Sequence, residues 1–206
     1  MNRAEVLYLI PYFGSLLISI GVLAFTWSRR SAQGAIAFAW YVLGQILWIT
    51  GFIFELISTD IASKIFWDEF QWIAGFFALI ALPVFAVQYT ELKLKSPRML
   101  FRLLFVVPVI FLLFLLSDQA FHWIYINPRL IPSTLFTELL YDFTPIVYGY
   151  AIYVYAITLW GLYLLIRRII QPHGLYRAQV ALITLGFFIP IFGSFLSLLN
   201  IHSCYY

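Results

Sequence analysis

The stretch VLYLIPYFGSLLISIGVLAFTW, residues 6–27, carries no charged side chain over 22 residues and ends just before Arg29 and Arg30. A helix of this length crosses the hydrocarbon core of a bilayer, which needs about 20 apolar residues. A cleaved signal peptide has a basic leader and a shorter apolar core, whereas here only Arg3 precedes the run. We therefore expect a retained membrane helix.

The composition of the whole chain agrees with this first helix. The 206 residues are 64% hydrophobic and 10% charged, with a mean hydropathy of +0.95. Soluble domains are about half apolar and a quarter charged, so the composition excludes a soluble or disordered protein. A net charge of +3 is too sparse for nucleic-acid binding. The single Cys204 cannot form an internal disulfide.

Further apolar runs follow the first, and they are too long for the strands of a membrane barrel. We predict an all-α membrane protein, a bundle of six transmembrane helices that forms a single domain over residues 1–206. In the third helix, a polar turn containing Asp68, Glu69 and Gln71 should precede the apolar stretch that starts at Trp72. The predicted helices lie at about 6–27, 35–57, 65–90, 99–116, 143–166 and 178–199.

The distribution of basic residues predicts the orientation. Nine of the 12 lysines and arginines fall in the first, third and fifth loops, and only Arg3, Lys64 and Arg129 fall on the other side. Basic residues accumulate in cytoplasmic loops, so the N-terminus should lie outside. We expect a multi-pass protein of a prokaryotic plasma membrane. Because six helices that start outside also end outside, we expect the chain to be truncated before a seventh helix.

No catalytic motif is present in the sequence. The chain lacks a phosphate-binding glycine loop, a nucleophile elbow and a zinc-protease motif. His122, His173 and His202 are too far apart in sequence to indicate a metal site. We therefore expect no catalytic residues, no metal, no cofactor and no enzymatic activity in this chain.

The most informative ionisable residue is Glu55, in the last turn of the second predicted helix. It can lie at the interface or pair with Lys64, or it can line an outward-facing acidic and aromatic pocket. Asp68, Gln71 and Trp72 are three and four residues apart and share one helix face. The hypothetical ligand site consists of Glu55, Asp68, Gln71, Trp72 and Tyr148.

The segment from Ser117 to Tyr141 is long for a connection between two helices and too apolar for disorder. Two interpretations stay open. Its tryptophan and tyrosines can lie at the level of the lipid headgroups, or the segment can form a lid over a binding cavity.

Several of these patterns together resemble the N-terminal seven-helix sensor region of bacterial membrane histidine kinases. The resemblance covers nearly the whole chain and implies a seventh helix followed by a cytoplasmic output domain, both missing here. It rests on Arg29-Arg30, Trp48-x6-Glu55, Lys64 and Trp67, Ile80-Ala-Leu-Pro-Val-Phe85 leading to Gln88-Tyr-Thr90, Arg177-x-Gln179, and Pro190.

The resemblance implies a sensory or receptor module of a signal-transduction system. It would bind an unknown ligand, or sense a membrane condition, at its outer side. The expected partners are the lipid bilayer and the ligand, with a homodimer left open and nucleic acid excluded. A small transporter or permease subunit, or a structural subunit of a membrane complex, is the alternative.

Overall fold

The computed structural model describes residues 3–93, 96–132, 135–170 and 184–186. Within these residues the chain is mostly helical. Its elements are α1 (Arg3–Ser28), α2 (Ala35–Ile57), α3 (Ile61–Tyr89), α4 (Pro97–Leu116), α5 (Asp118–Phe121), β1 (Ile126–Pro132), β2 (Thr137–Asp142) and α6 (Pro145–Ile170).

Five of the described helices, α1, α2, α3, α4 and α6, are long and apolar enough to cross a membrane. They correspond to the first five predicted spans, and the bounds of α2 coincide with the prediction. The sixth predicted helix, 178–199, lies outside the described residues except for the helical residues 184–186.

The third helix starts earlier than the apolar pattern indicated. The third helix was predicted at 65–90, and Asp68 to Gln71 lie inside α3 as that range implies, but α3 begins four residues earlier, at Ile61. Asp60 caps the helix, and its side chain accepts a hydrogen bond of 2.8 Å from the Ser63 N–H. This bond lowers the pKa of the exposed Asp60 carboxyl. An acidic N-cap satisfies one of the amide groups that a helix start leaves unpaired. The cap therefore fixes the helix start at Ile61.

The helices α2 and α3 form the closest packed pair. A Cβ atom on Gly44 would lie 2.9 Å from the backbone nitrogen of Ala78, and one on Gly51 would lie 2.8 Å from the Cγ atom of Gln71. Small residues allow such close approach between membrane helices. Gly44 and Gly51 therefore allow α2 to pack closely against α3.

Two groups of buried side chains hold α6 against α3. One lies where α2 begins and α3 ends, and it includes Phe85, Ala86 and Leu165. The other includes Phe76, Phe111 and Tyr150, and it brings α4 into the bundle. The rings of Phe111 and Tyr150 stack with centroids 3.9 Å apart. In α1 the buried residues are Leu9 and Thr26, so most of that helix faces away from the bundle.

The segment between α4 and α6 contains a feature that the prediction missed. It forms the short helix α5 and an antiparallel hairpin of β1 and β2, within a described chain that is otherwise helical. In the hairpin Leu130 pairs with Leu139, and Ile131 pairs with Glu138. The pairing is irregular between Ile126 and Arg129, where Asn127 has a φ of 50°. The hairpin lies at the end of the bundle where α2 ends and α3 begins, which we call the hairpin end.

Candidate functional site

The polar residues of the hairpin end gather around the first half of α3. Glu55 comes from the last turn of α2, Lys64, Asp68 and Gln71 come from α3, and tyrosines come from the hairpin. They form two hydrogen-bonded groups, one around Glu55 and one around Asp68.

In the first group, Glu55 bonds through both its side chain and its backbone. The Gln71 Nε2 atom donates to the Glu55 carboxylate at 2.6 Å and also to the Trp67 carbonyl at 3.3 Å. The Lys64 ammonium donates to the backbone carbonyl of Glu55 at 2.6 Å. These contacts fix the end of α2 against the start of α3.

The position of Lys64 is unusual for a charged residue, because only 1% of its surface is exposed. Its partner is one of the last four carbonyls of α2, which have no N–H donor within the helix. A cation is also stabilised by the negative end of the helix dipole. Lys64 therefore caps α2. The contact between Glu55 and Lys64 that the sequence analysis considered is formed with the backbone carbonyl of Glu55.

In the second group, one oxygen of Asp68 accepts three hydrogen bonds. The Trp72 Nε1 atom donates to Asp68 Oδ2 at 3.1 Å. The hydroxyl of Tyr125 donates to the same oxygen at 2.7 Å and that of Tyr141 at 3.0 Å. Asp68 thus connects α3 to both sides of the hairpin.

Tyr125 and Tyr141 come from opposite sides of the hairpin, and their rings are in contact. Tyr125 stands just before β1, Tyr141 lies in β2, and their ring centroids are 4.7 Å apart in an edge-to-face arrangement. Burial raises the pKa of both phenols well above 10, and the neighbouring Asp68 raises it further. Both side chains therefore act as hydrogen-bond donors over the whole neutral range.

The entrance to the hairpin is held by a second acid, Asp118 of α5. It is only 4% exposed, and its side chain accepts hydrogen bonds from the backbone N–H groups of Ile124, at 2.5 Å, and Tyr125, at 3.4 Å. His122, between them, adopts a φ of 50°. The bonds to Asp118 fix the backbone of Tyr125 and so direct its ring toward α3.

The predicted site residues are partly brought together. Glu55 contacts Gln71, and Asp68 contacts Trp72. Tyr148 stands apart: its ring packs on Phe143, which in turn packs on Tyr141. It is 38% exposed. One aromatic ring therefore separates it from the tyrosines that bond to Asp68.

Sequence reasoning did not connect Tyr125 and Tyr141 to Asp68. The aromatic density of the segment was visible, but partners 57 and 73 residues apart cannot be paired from spacing alone. We call Glu55, Lys64, Asp68, Gln71, Trp72, Tyr125 and Tyr141 together the acidic cluster.

The acidic cluster offers hydrogen-bond acceptors more than reactive groups. Among the described residues, no group of three or more histidine, cysteine, aspartate or glutamate side chains could hold a metal ion. The carboxylates instead bond to an amide, an indole and two phenols. Chemically this arrangement suits recognition of a ligand that donates hydrogen bonds.

Comparison with known protein families shows the family to which the chain belongs. Residues 11–205 match the family model described as the N-terminal 7TM region of histidine kinase. The chain belongs to this family. No curated protein and no solved structure matches it.

Membership confirms the resemblance found in the sequence. The 7TM region is the non-catalytic sensory part of membrane histidine kinases, so this chain is a multi-pass membrane region of a sensory type. In this 7TM region the hairpin end of the bundle carries both the acidic cluster and the only strands among the described residues.

Proposed function

We propose that this 7TM region detects a ligand through the acidic cluster, on the outer side of a prokaryotic plasma membrane. The proposal includes six spans and an outside N-terminus, because nine of the 12 basic residues then lie on the cytoplasmic side. In that orientation the hairpin end faces outward, and the ligand reaches it without crossing the bilayer.

The observation that carries the proposal is the threefold hydrogen bonding of Asp68 Oδ2. Two tyrosines, one on each side of the hairpin, reach α3 through this single acceptor. A ligand that donates to Asp68 competes with Tyr125 and Tyr141, and it shifts the population toward a state with the hairpin released. The segment from Ser117 to Tyr141 would then act as a lid over the ligand site, which is one of the two interpretations given in the sequence analysis.

The chemistry of the cluster favours a cationic or hydrogen-bond-donating ligand. Glu55 and Asp68 supply two carboxylates within a sparsely charged chain, and Trp72 supplies an aromatic face for a cation. Tyr148, half-exposed at the edge of the aromatic group, extends the ligand site toward solvent. The proposed ligand-binding residues are therefore Glu55, Asp68, Gln71, Trp72 and Tyr148.

The test uses the chain in lipid nanodiscs and follows tryptophan fluorescence during titration with methylammonium, tetramethylammonium and choline. The neutral isostere of choline, 3,3-dimethyl-1-butanol, is the matched ligand control. We expect saturable binding of at least one cation and none of the isostere. Glu55→Gln should weaken that binding about tenfold, which corresponds to about 1.4 kcal/mol.

The matched variant is Glu91→Gln, which removes a similar charge from an exposed residue just after the opposite end of α3. It should bind as the wild type does. If no cation in the panel binds, or if both variants bind like the wild type, the acidic cluster is not a cation site and the proposal fails.

A further inference from the structure

A cavity of about 180 Å³ lies between the middle parts of α1 and α2. It is lined by Ile18, Ser19 and Val22 from α1, by Tyr41, Val42 and Gln45 from α2, and by Gly186 from the described residues 184–186. We call it the α1–α2 notch. Its lining contains no charged residue, so it does not belong to the acidic cluster.

The notch lies near mid-depth of the membrane. Gln45 is ten residues from the start of α2 and twelve from its end, or about 15 and 18 Å along the helix axis. The hydrocarbon core is about 30 Å thick, so this amide stands close to the bilayer centre. The ester groups of phospholipids lie at the edges of the core and do not reach it.

Two polar groups of the notch, the Gln45 amide and the Ser19 hydroxyl, form no hydrogen bond with the residues that the structure describes. Thr50, one turn further along α2, differs because its hydroxyl donates to the Ile46 carbonyl at 2.7 Å. Without water, an unsatisfied polar group in hydrocarbon costs several kcal/mol. The Gln45 amide is therefore available for a partner that enters the notch.

We propose that the α1–α2 notch binds a membrane-dissolved molecule through a neutral carbonyl or hydroxyl group. The Gln45 amide can donate to a carbonyl or accept from a hydroxyl, and Ser19 can do either. An ionised group would find no counter-charge among the lining residues. Ligand pockets for whole drug-sized molecules measure about 300–1,000 Å³, so the notch holds the polar group while the apolar remainder lies among the acyl chains.

The test measures photolabelling of the chain in nanodiscs with two diazirine probes, one on a hexadecanol chain and one on a 2-hexadecanone chain. A diazirine on hexadecane is the control without a polar group. We expect at least one polar probe to label peptides that contain residues 18–22 or 41–45. Excess unlabelled 1-hexadecanol or 2-hexadecanone should compete with its own probe, and hexadecane should not.

Two variants test the notch by different routes. Gln45→Leu removes the amide and should reduce labelling by about fivefold, the loss of about one hydrogen bond. Val22→Phe narrows the notch from the α1 side and leaves the Gln45 amide in place, and it should also reduce the labelling. Thr50→Val is the matched control, since Thr50 is also polar but bonds to its own helix, and it should label like the wild type.

Other outcomes overturn the proposal. Equal labelling by the polar probes and the hexadecane probe would show that the notch does not recognise a polar group. Labelling that Gln45→Leu and Val22→Phe both leave unchanged would place the probes elsewhere on the bundle. Neither outcome bears on the cation titration at the acidic cluster, which uses water-soluble ligands and different variants.

Discussion

The hydroxyl of Tyr125 lies 2.7 Å from the Oδ2 atom of Asp68, although 57 residues separate them in the chain. The contact joins the entrance of the hairpin to the first half of α3. Tyr141, from the other side of the hairpin, reaches the same oxygen at 3.0 Å. Both sides of the hairpin therefore bond to α3 through one carboxylate, beside the apolar contacts that Ile124 and Tyr125 make in the core.

The first prediction concerns the two phenols. Tyr125→Phe and Tyr141→Phe should each loosen the hairpin, because each removes one hydrogen bond to Asp68 and such a bond contributes about 0.5–1.5 kcal/mol. Amide hydrogen exchange across residues 126–132 and 137–142 should accelerate by about twofold to tenfold. Tyr163→Phe, an exposed phenol of α6, should leave this exchange unchanged. Equal exchange rates in all three variants would mean that the hairpin is held by other contacts.

The second prediction concerns Asp118. Asp118→Ala leaves the buried N–H groups of Ile124 and Tyr125 without their acceptor, which should cost about 1–3 kcal/mol for each unsatisfied group. Asp118→Asn keeps one acceptor oxygen and should cost less. Hydrogen exchange at these two amides provides the measurement. A slower or unchanged exchange in Asp118→Ala would contradict the assigned role.

Part of this arrangement was predictable from the sequence, and part was not. The apolar runs predicted the five long helices that the structure describes. They could do so because backbone N–H and C=O groups in a bilayer must form their hydrogen bonds within each helix. The shared face of Asp68 and Trp72 followed from their spacing of four. The hairpin was missed, because long-range pairing between strands leaves only a weak local pattern. The bond from Tyr125 to Asp68 depends on that hairpin, so it could not be predicted either.

The third prediction concerns alkaline pH. Burial raises the pKa of Tyr125 and Tyr141 above the value near 10 that they have in the unfolded chain. Their contribution to stability is therefore complete below pH 10 and decreases as the pH rises beyond it. The difference in ultraviolet absorbance between the wild type and Tyr125→Phe should show no ionisation of Tyr125 at pH 10 to 11. Ionisation there with a midpoint near 10 would mean that the phenol is exposed.

The fourth prediction concerns orientation. In a Cys204→Ser background, cysteines at Thr59 and Ser96 should react with a membrane-impermeant maleimide from opposite sides, with Thr59 accessible from outside. Both positions are exposed, and Thr59 lies at the hairpin end. Nine of 12 basic residues on the Ser96 side motivate the assignment. Labelling of Ser96 from outside in intact cells would reverse the proposed orientation of the acidic cluster.

The central claim is that a ligand at the acidic cluster releases the hairpin from Asp68. Hydrogen exchange tests it most directly, measured in nanodiscs with and without a saturating concentration of the cation that binds best in the fluorescence titration. The account predicts faster exchange in β1 and β2 when the cation is bound, and no further increase in Asp68→Asn, where the hairpin is already loosened. Unchanged or slower exchange in the wild-type hairpin at saturation would contradict it.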